Sequence, residues 1–189
     1  MRKNSFIRFN FCFILLLTLF SFQTDKNILL WEASRPLTWD DFKGKPERRF
    51  AAASTSYDIL KSVSKKEDNS AVAMICAVFF KNQSWKKASW INDAVLAHEQ
   101  KHFDIVELYA RKLRKKIKEA AFKNMTDLEN RLEEMYDVND KEMDKYQDLY
   151  DEETDGSMNG EQQRMWQNKI MKEIKDLDVY KETSVTIKF

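Results

Sequence analysis

Two histidines and a glutamate stand together within Ala97–His102, at a spacing that suits a metal site. On an α-helix, side chains four positions apart lie on one face, one turn apart, so His98 and His102 can reach a single ion. Glu99 is rotated by about 100° from His98 and flanks the same position. Zinc accepts imidazole ligands and lowers the pKa of its water, so that a nearby carboxylate can take a proton. The motif predicts Zn²⁺ bound by His98 and His102, with Glu99 as the general base of a metallohydrolase of the peptidase type.

The alternative is a pair of core histidines that lie one turn apart by coincidence. The chain has only two histidines, and chance would produce this spacing on the order of once in a thousand such chains. Both histidines also fall within the core-facing stripe of a long predicted helix, which is the setting that the motif requires. We therefore favour metal binding.

The element that must position the motif is a helix that begins after Ser89 or Asn92 and runs to about Ala121. Apolar residues recur along it at spacings of three and four, which is typical of one buried helical face. A second helix is predicted from about Thr126 to Gly156 and a third from about Asn159 to Leu177.

Strands are predicted on both sides of this helical part of the chain. Phe50–Val63 and Ala71–Phe80 flank a polar turn and form the natural hairpin, and Ser184–Phe189 alternates enough to be a closing strand. The segment up to about Pro46 is expected to be an irregular strap across the domain. The predicted fold is α+β, with an antiparallel hairpin sheet packed on the long motif helix and two further helices.

The N-terminus has the composition of a secretion signal. Arg2, Lys3 and Arg8 precede an apolar run, Phe9–Phe20, that is short for a bilayer-spanning helix of about 20 residues. We expect residues 1–23 to be a cleaved signal peptide and residues 24–189 to form a single domain without a membrane span. The mature protein would then be secreted or periplasmic.

Charge and cysteine content limit the classes of partner and of stabilisation. The formal charge of +1 becomes −2 when the three basic residues of the signal are removed (1 − 3 = −2), which does not favour a nucleic-acid partner. The basic stretch Arg111–Lys118 is interpreted as a solvated helix surface. Cys76 is the one cysteine left after residue 23, so it is expected to be a small buried hydrophobic residue rather than half of an intramolecular disulfide. The sequence leaves the oligomeric state open.

Three separated motifs also resemble a known family. They are RPLTWDDFKGKP (35–46) followed by AAASTS (51–56), LAHEQKHFDIVELYARKLRKK (96–116), and YDEETDGSMNGEQQRMWQNKI (150–170). In this order they are similar to a bacterial family of predicted secreted zinc-dependent proteases, long catalogued as a domain of unknown function. The resemblance covers nearly the whole chain after the signal. It implies a metallopeptidase-like fold of the zincin kind, for which the hydrolase hypothesis predicts a peptide or protein substrate.

The chain departs from that family at Gly156, where the resemblance places a histidine in the pattern Tyr-Asp-x-x-Thr-x-His. That histidine would be the third zinc ligand in relatives. Asp151, Glu153 and Asp155 lie nearby and could each substitute, because carboxylate oxygens also bind zinc, although each could equally be a solvated acid at a helix end. The alternative function is a non-catalytic zinc-binding or scaffold protein of the cell envelope that has lost its third ligand at Gly156.

Two further residues of the motif helix could assist chemistry. Asp104 lies about 200° around the helix from His102, so we expect a solvated side chain in preference to a group that supports the metal ligands. Tyr109 shares the histidine face, and a core tyrosine is favoured over a hydrogen-bond donor to substrate.

Overall fold

The predicted α+β class is confirmed by a computed structural model that describes residues 25–48 and 50–189. The predicted signal peptide, residues 1–23, lies outside the described residues. The helices are α1 (Asp93–Glu119), α2 (Met125–Thr154) and α3 (Gly160–Asp176). The strands are β1 (Ile28–Leu30), β2 (Ala53–Ser54), β3 (Tyr57–Lys65), β4 (Ser70–Phe80), β5 (Trp85–Lys86) and β6 (Ser184–Lys188). Short 3₁₀ turns occur at Trp39–Asp41 and Asp178–Tyr180.

The main sheet is antiparallel and is built around β4. β3 pairs with β4 over nearly its full length, which confirms the predicted hairpin. β6 pairs with the first half of β4 and β1 with its last three residues, so both lie on the edge of β4 opposite β3. The predicted strand Phe50–Val63 is divided, because β2 leaves the main sheet to pair with β5.

α1 is the central element of the fold. It packs against the sheet on one side and against α2 and α3 on the other. Every residue from Lys101 to Arg111 is buried as a result. A helix covered on all sides must bury its polar positions as well as its apolar ones, so each buried charge on α1 needs partners.

Three of these buried charges form what we term the core cluster: Glu107, Arg111 and Arg114. One oxygen of Glu107 accepts hydrogen bonds from Arg111 Nε at 2.8 Å and from Arg114 Nη2 at 2.7 Å. Other guanidinium donors reach the backbone carbonyls of Ile174 at 2.9 Å and Lys181 at 2.8 Å, and Arg111 also pairs with the Asp178 carboxylate at 3.5 Å. The interpretation of Arg111–Lys118 as a solvated surface is therefore wrong at Arg111 and Arg114, because α3 and the chain after it cover that face.

The segment up to Pro46, which we term the strap, is hydrogen-bonded to α1 next to the histidine motif. The Leu37 amide donates to Gln100 Oε1 at 2.6 Å, and Trp31 Nε1 donates to Asp104 Oδ1 at 2.9 Å. Asp104 also accepts from Gln100 Nε2 at 2.8 Å and pairs with Lys101. The expectation that Asp104 is solvated is wrong. It is a buried acceptor that holds the strap against α1.

The remaining interpretations concern the core and the membrane. Tyr109 and Cys76 are both buried, as expected for core residues, and Cys76 is a free thiol. Within residues 25–48 and 50–189, no helix combines the length and apolarity needed to cross a bilayer.

Candidate metal centre

The beginning of α1 and the end of α2 meet to form the candidate site. Asn92 caps α1, with its side chain accepting from the Val95 amide at 3.0 Å, and this sets the start of the helix six residues before His98. α2 ends at Thr154, and Asp155 and Gly156 then adopt left-handed backbone with φ of 48° and 53°. The chain turns away there, so the last turn of α2 stands beside the histidines.

His98, His102 and Asp151 bring three ligand atoms to one point, and we term them the site cluster. Asp151 Oδ1 lies 3.0 Å from Nε2 of His98 and 3.0 Å from Nε2 of His102, and the two Nε2 atoms are 3.1 Å apart. Ligands about 2.0–2.1 Å from a tetrahedral zinc ion lie about 3.3 Å from one another. The observed triangle is close to that size, so the three residues present fit a zinc ion.

Gln147 determines which nitrogen of His102 faces the centre. Its Nε2 donates to the His102 carbonyl at 3.0 Å, which leaves its Oε1 to accept from His102 Nδ1 at 2.6 Å. Nδ1 of His102 must therefore carry a proton, and in the neutral ring the lone pair is on Nε2, directed at the centre. A hydrogen-bond partner of this kind fixes the tautomer of a metal-ligating histidine.

Thr154 and Tyr150 act on His98 in a similar way. The Thr154 hydroxyl donates to the Tyr150 carbonyl at 2.6 Å, so its oxygen is left to accept from His98 Nδ1 at 3.4 Å. The Tyr150 ring stacks on the His98 ring, with centroids 4.7 Å apart and planes 19° from parallel. His98 thus also presents the lone pair of Nε2 to the centre.

Three acceptor atoms that face one another require a cation or a proton between them. Burial lowers the pKa of His102, but the Asp151 carboxylate outweighs this and raises the pKa to about 9. Burial acts to raise the pKa of Asp151, and hydrogen bonds from His102 and His98 hold it well below its usual range. In the metal-free chain the raised pKa of His102 keeps that ring protonated at neutral pH, with the Asp151 carboxylate as the partner of the proton.

Glu99 is buried beside this cluster and is held by Thr55. The Thr55 hydroxyl donates to Glu99 Oε2 at 2.7 Å. Thr55 lies between β2 and β3, so the break in the predicted first strand places a hydroxyl against the carboxylate. The charge of Glu99 also contributes to the raised pKa of His102. The predicted base and the predicted ligands therefore lie in one site.

The site opens into a cleft of about 800 Å³. His98, Glu99, His102, Gln147 and Asp151 all line it. Its walls come from the chain before and within β2, from the start of α1 and from the end of α2. The cleft gives a substrate direct access to the cluster.

The structure separates the three carboxylates considered as a third ligand. Asp151 joins the cluster, whereas Glu153 accepts a hydrogen bond from Trp166 Nε1 at 2.7 Å. Asp155 lines the cleft without joining the cluster, and so does Gly156, where an added Cβ would meet no atom within 4 Å. The structure thus places a carboxylate at the third position of the cluster.

The sequence did not identify Gln147, Thr154 or Thr55 as part of the site. The spacing of Gln147 and Thr154 is informative only once Asp151 is known to be in the site. Gln147 lies four residues before Asp151 and Thr154 three residues after it, so all three share one face of α2. Thr55 has no such signal, because only the packing of β2 against α1 brings it to Glu99.

Comparison with known proteins gives one match. Residues 81–160 match a family described as "Bacterial protein of unknown function (DUF922)". This stretch contains α1, α2, the site cluster and Glu99. No curated protein and no solved structure match the chain. The similarity to a bacterial family of unknown function agrees with the resemblance found in the sequence, and it carries no information on protease activity or zinc.

Proposed function

We propose that this protein is an exported zinc-dependent hydrolase of peptide bonds, with a zincin-like arrangement of the site. His98, His102 and Asp151 are the proposed ligands, and Glu99 is the proposed general base. The observation that carries the proposal is the convergence of three lone-pair atoms at one point. Hydrogen bonds to Nδ1 fix the tautomers of both imidazoles. The buried carboxylate of Glu99 lies beside them and lines the cleft.

The protein groups have distinct roles in the proposed reaction. Bound zinc would supply a Lewis acid for the scissile carbonyl and would make water a stronger acid. Glu99 takes the proton of the attacking water and passes it to the leaving amine, while Thr55 keeps one of its oxygens in place. Gln147 and Thr154 orient the ligands so that the cluster needs no rearrangement during turnover.

A specific observation bears on the non-catalytic alternative. That alternative depends on a third ligand having been lost at Gly156, whereas Asp151 completes a set of three ligands. Three protein ligands with an open position are the usual arrangement in catalytic zinc sites. Two histidines and one carboxylate also suit Fe²⁺, but a buried carboxylate next to the ligands favours hydrolysis.

Metal analysis of the purified chain tests the ligand assignment. We expect about one zinc per chain by mass spectrometry, with zinc lost in His98→Ala, His102→Ala and Asp151→Ala. Asp155→Asn is the matched control and should retain zinc, because Asp155 lines the cleft outside the cluster. Iron in place of zinc, or zinc retained in Asp151→Ala, would contradict the assignment.

Glu99→Gln tests the catalytic assignment separately. This variant should keep its zinc and lose hydrolysis of unstructured peptides by at least about a hundredfold, since only the base is removed. Equal activity in the variant would overturn the role of Glu99. A zinc-loaded wild-type chain that hydrolyses no peptide would instead support the scaffold function.

A further inference from the structure

The cleft over the site cluster has two unlike walls. The end of α2 contributes the carboxylates of Asp148, Asp151 and Asp155, whereas Phe50, Trp90 and Met158 line it with apolar side chains. Asp151 is part of the proposed metal centre. The other five residues have no role in the chemistry proposed above and are available to a substrate.

The acidic wall keeps an excess of negative charge when a divalent cation is bound. Glu99, Asp148, Asp151 and Asp155 are the acidic residues of the lining, and the lining includes no lysine or arginine among the described residues. A zinc ion of charge +2 offsets two of these four carboxylates. Within the part of the chain that the structure describes, no lysine or arginine forms an ion pair with Asp148 or Asp155. The cleft therefore keeps a net negative charge that can attract a cationic ligand.

The negative charge continues along α2 beyond the cleft. Aspartates at spacings of three and four form one stripe, namely Asp137, Asp140, Asp144, Asp148, Asp151 and Asp155. Burial raises the pKa of the Tyr57 hydroxyl next to this stripe, and Asp144, Asp151, Asp140 and Asp148 raise it further. The stripe thus produces a negative potential along one side of the cleft and its approach.

The apolar wall is exposed to an unusual degree. The side chains of Phe50, Trp90 and Met158 are 93%, 44% and 78% exposed. Phe50 and Trp90 contact each other edge to face, with ring centroids 5.3 Å apart. Lys87 lies over the Trp90 ring at 4.5 Å. Grouped exposed apolar side chains at the mouth of a cleft mark a binding surface.

We infer that the cleft binds a cationic peptide segment in which a lysine or arginine stands next to a large apolar residue. The basic side chain would lie along the aspartates of α2, and the apolar side chain would cover Phe50, Trp90 and Met158. This inference rests on the proposed function and specifies its substrate class. Charge complementarity identifies the occupant, because an apolar wall alone would accept a neutral peptide equally well.

The test measures binding without turnover, on the Glu99→Gln chain saturated with zinc. Calorimetry would compare four acetylated Gly/Ser peptides that differ only in one central pair: Lys-Phe, Glu-Phe, Lys-Ser and Glu-Ser. We expect Lys-Phe to bind tightest, with a loss of roughly tenfold when Phe becomes Ser. Exchange of Lys for Glu should weaken binding at least fivefold at low salt and less at high salt.

Charge-removing variants assign the preference to the acidic wall. Asp148→Asn and Asp155→Asn should each reduce the preference for Lys over Glu by roughly two- to fivefold. Glu129→Gln makes the same charge change about 33 Å along α2 from Asp151 and should leave the preference unchanged. Trp90→Ala should reduce the preference for Phe over Ser.

The outcomes separate this inference from the proposed function. Equal affinity for the Lys and Glu peptides, or a preference unchanged in both aspartate variants, would overturn the inference. Hydrolysis by the wild-type chain without any charge preference would overturn it as well and leave the proposed function standing. A clear Lys-Phe preference in binding, with no peptide hydrolysed by the wild-type chain, would contradict the proposed function alone.

Discussion

α1 carries two groups of charged or titratable side chains, the second completed by Asp151 of α2, and they differ in the balance of donors and acceptors. In the core cluster, two guanidiniums surround one Glu107 oxygen and donate further to backbone carbonyls and to Asp178. In the site cluster, three acceptors face one another. The core cluster is complete as it stands, whereas the site cluster requires a cation. Burial of charge therefore does not identify a functional site, but an unbalanced set of converging acceptors does.

The largest effect should come from unbalancing the core cluster. Glu107→Ala leaves two buried guanidiniums without their shared carboxylate, so we expect a loss of about 3–5 kcal/mol in the free energy of unfolding. Urea unfolding of the chelator-treated chain measures it, with exposed Glu129→Gln as a control that should change stability by less than about 0.5 kcal/mol. Zinc stoichiometry of the folded variant should stay the same. A loss below about 1 kcal/mol would contradict the assigned role of the core cluster.

An intermediate effect should follow when support is removed from the site cluster without removing a ligand. Gln147→Leu deletes the acceptor for His102 Nδ1, and we expect zinc affinity to fall about 10- to 100-fold. Gln147→Glu supplies a charged acceptor and should retain or tighten zinc binding. Competition with a chromophoric chelator measures both. If the two variants weakened binding equally, Gln147 would have only a packing role.

A third effect should be the dependence of the stability of the metal-free site cluster on pH. The pKa of His102 is raised from 6.5 to about 9, so the stability it gives the metal-free chain is complete below pH 6.5 and is lost as pH rises through 9. The lowered pKa of Asp151 gives stability that is present above 3.8 and is lost toward lower pH. The apo chain should thus have its highest Tm between about pH 4 and 6.5, and Asp151→Asn should flatten this profile.

The same proton predicts how zinc binding depends on pH. Zinc must displace it, so about one proton should be released per zinc at pH 7, and apparent affinity should rise by up to about tenfold per pH unit below pH 9. Titration calorimetry in buffers of different ionisation enthalpy counts the protons. Zinc binding without proton release would mean that the three acceptors are not the ligands.

The sequence predicted most of the elements and about half of the site. Periodicity located the three helices, and His98, Glu99 and His102 followed from spacing alone. The third carboxylate could not be chosen, because an apolar stripe through Tyr146, Leu149 and Tyr150 would continue to Glu153 rather than to Asp151. Leu149 is exposed, and the inward face of α2 instead carries the polar Gln147 and Thr154 beside Tyr150. Hydrophobic periodicity cannot detect a buried face that is partly polar.

The division of the predicted first strand was hidden for a related reason. Residues 50–63 contain no glycine or proline that would mark a break, and only a tertiary partner, β5, draws Ala53 and Ser54 away from the main sheet. Likewise, Arg111 and Arg114 have the composition of a solvated surface, and their burial depends on coverage by elements some sixty residues later. Local patterns specify local elements, whereas the partners of polar residues depend on the whole fold.

The position of the site cluster also affects how long the folded chain would survive. His98 and Asp151 are 53 residues apart and lie at the open end of the α1–α2 pair, away from the connection at residues 120–124. A metal ion bound there acts as a cross-link, and closing a loop of this length restricts the unfolded chain by roughly 4 kcal/mol. Cys76 has no second cysteine after residue 23, so in the proposed exported chain a bound ion would take the place that a disulfide occupies in many exported proteins. Loss of the ion would then shorten the lifetime of that chain among extracellular proteases, independently of any loss of activity.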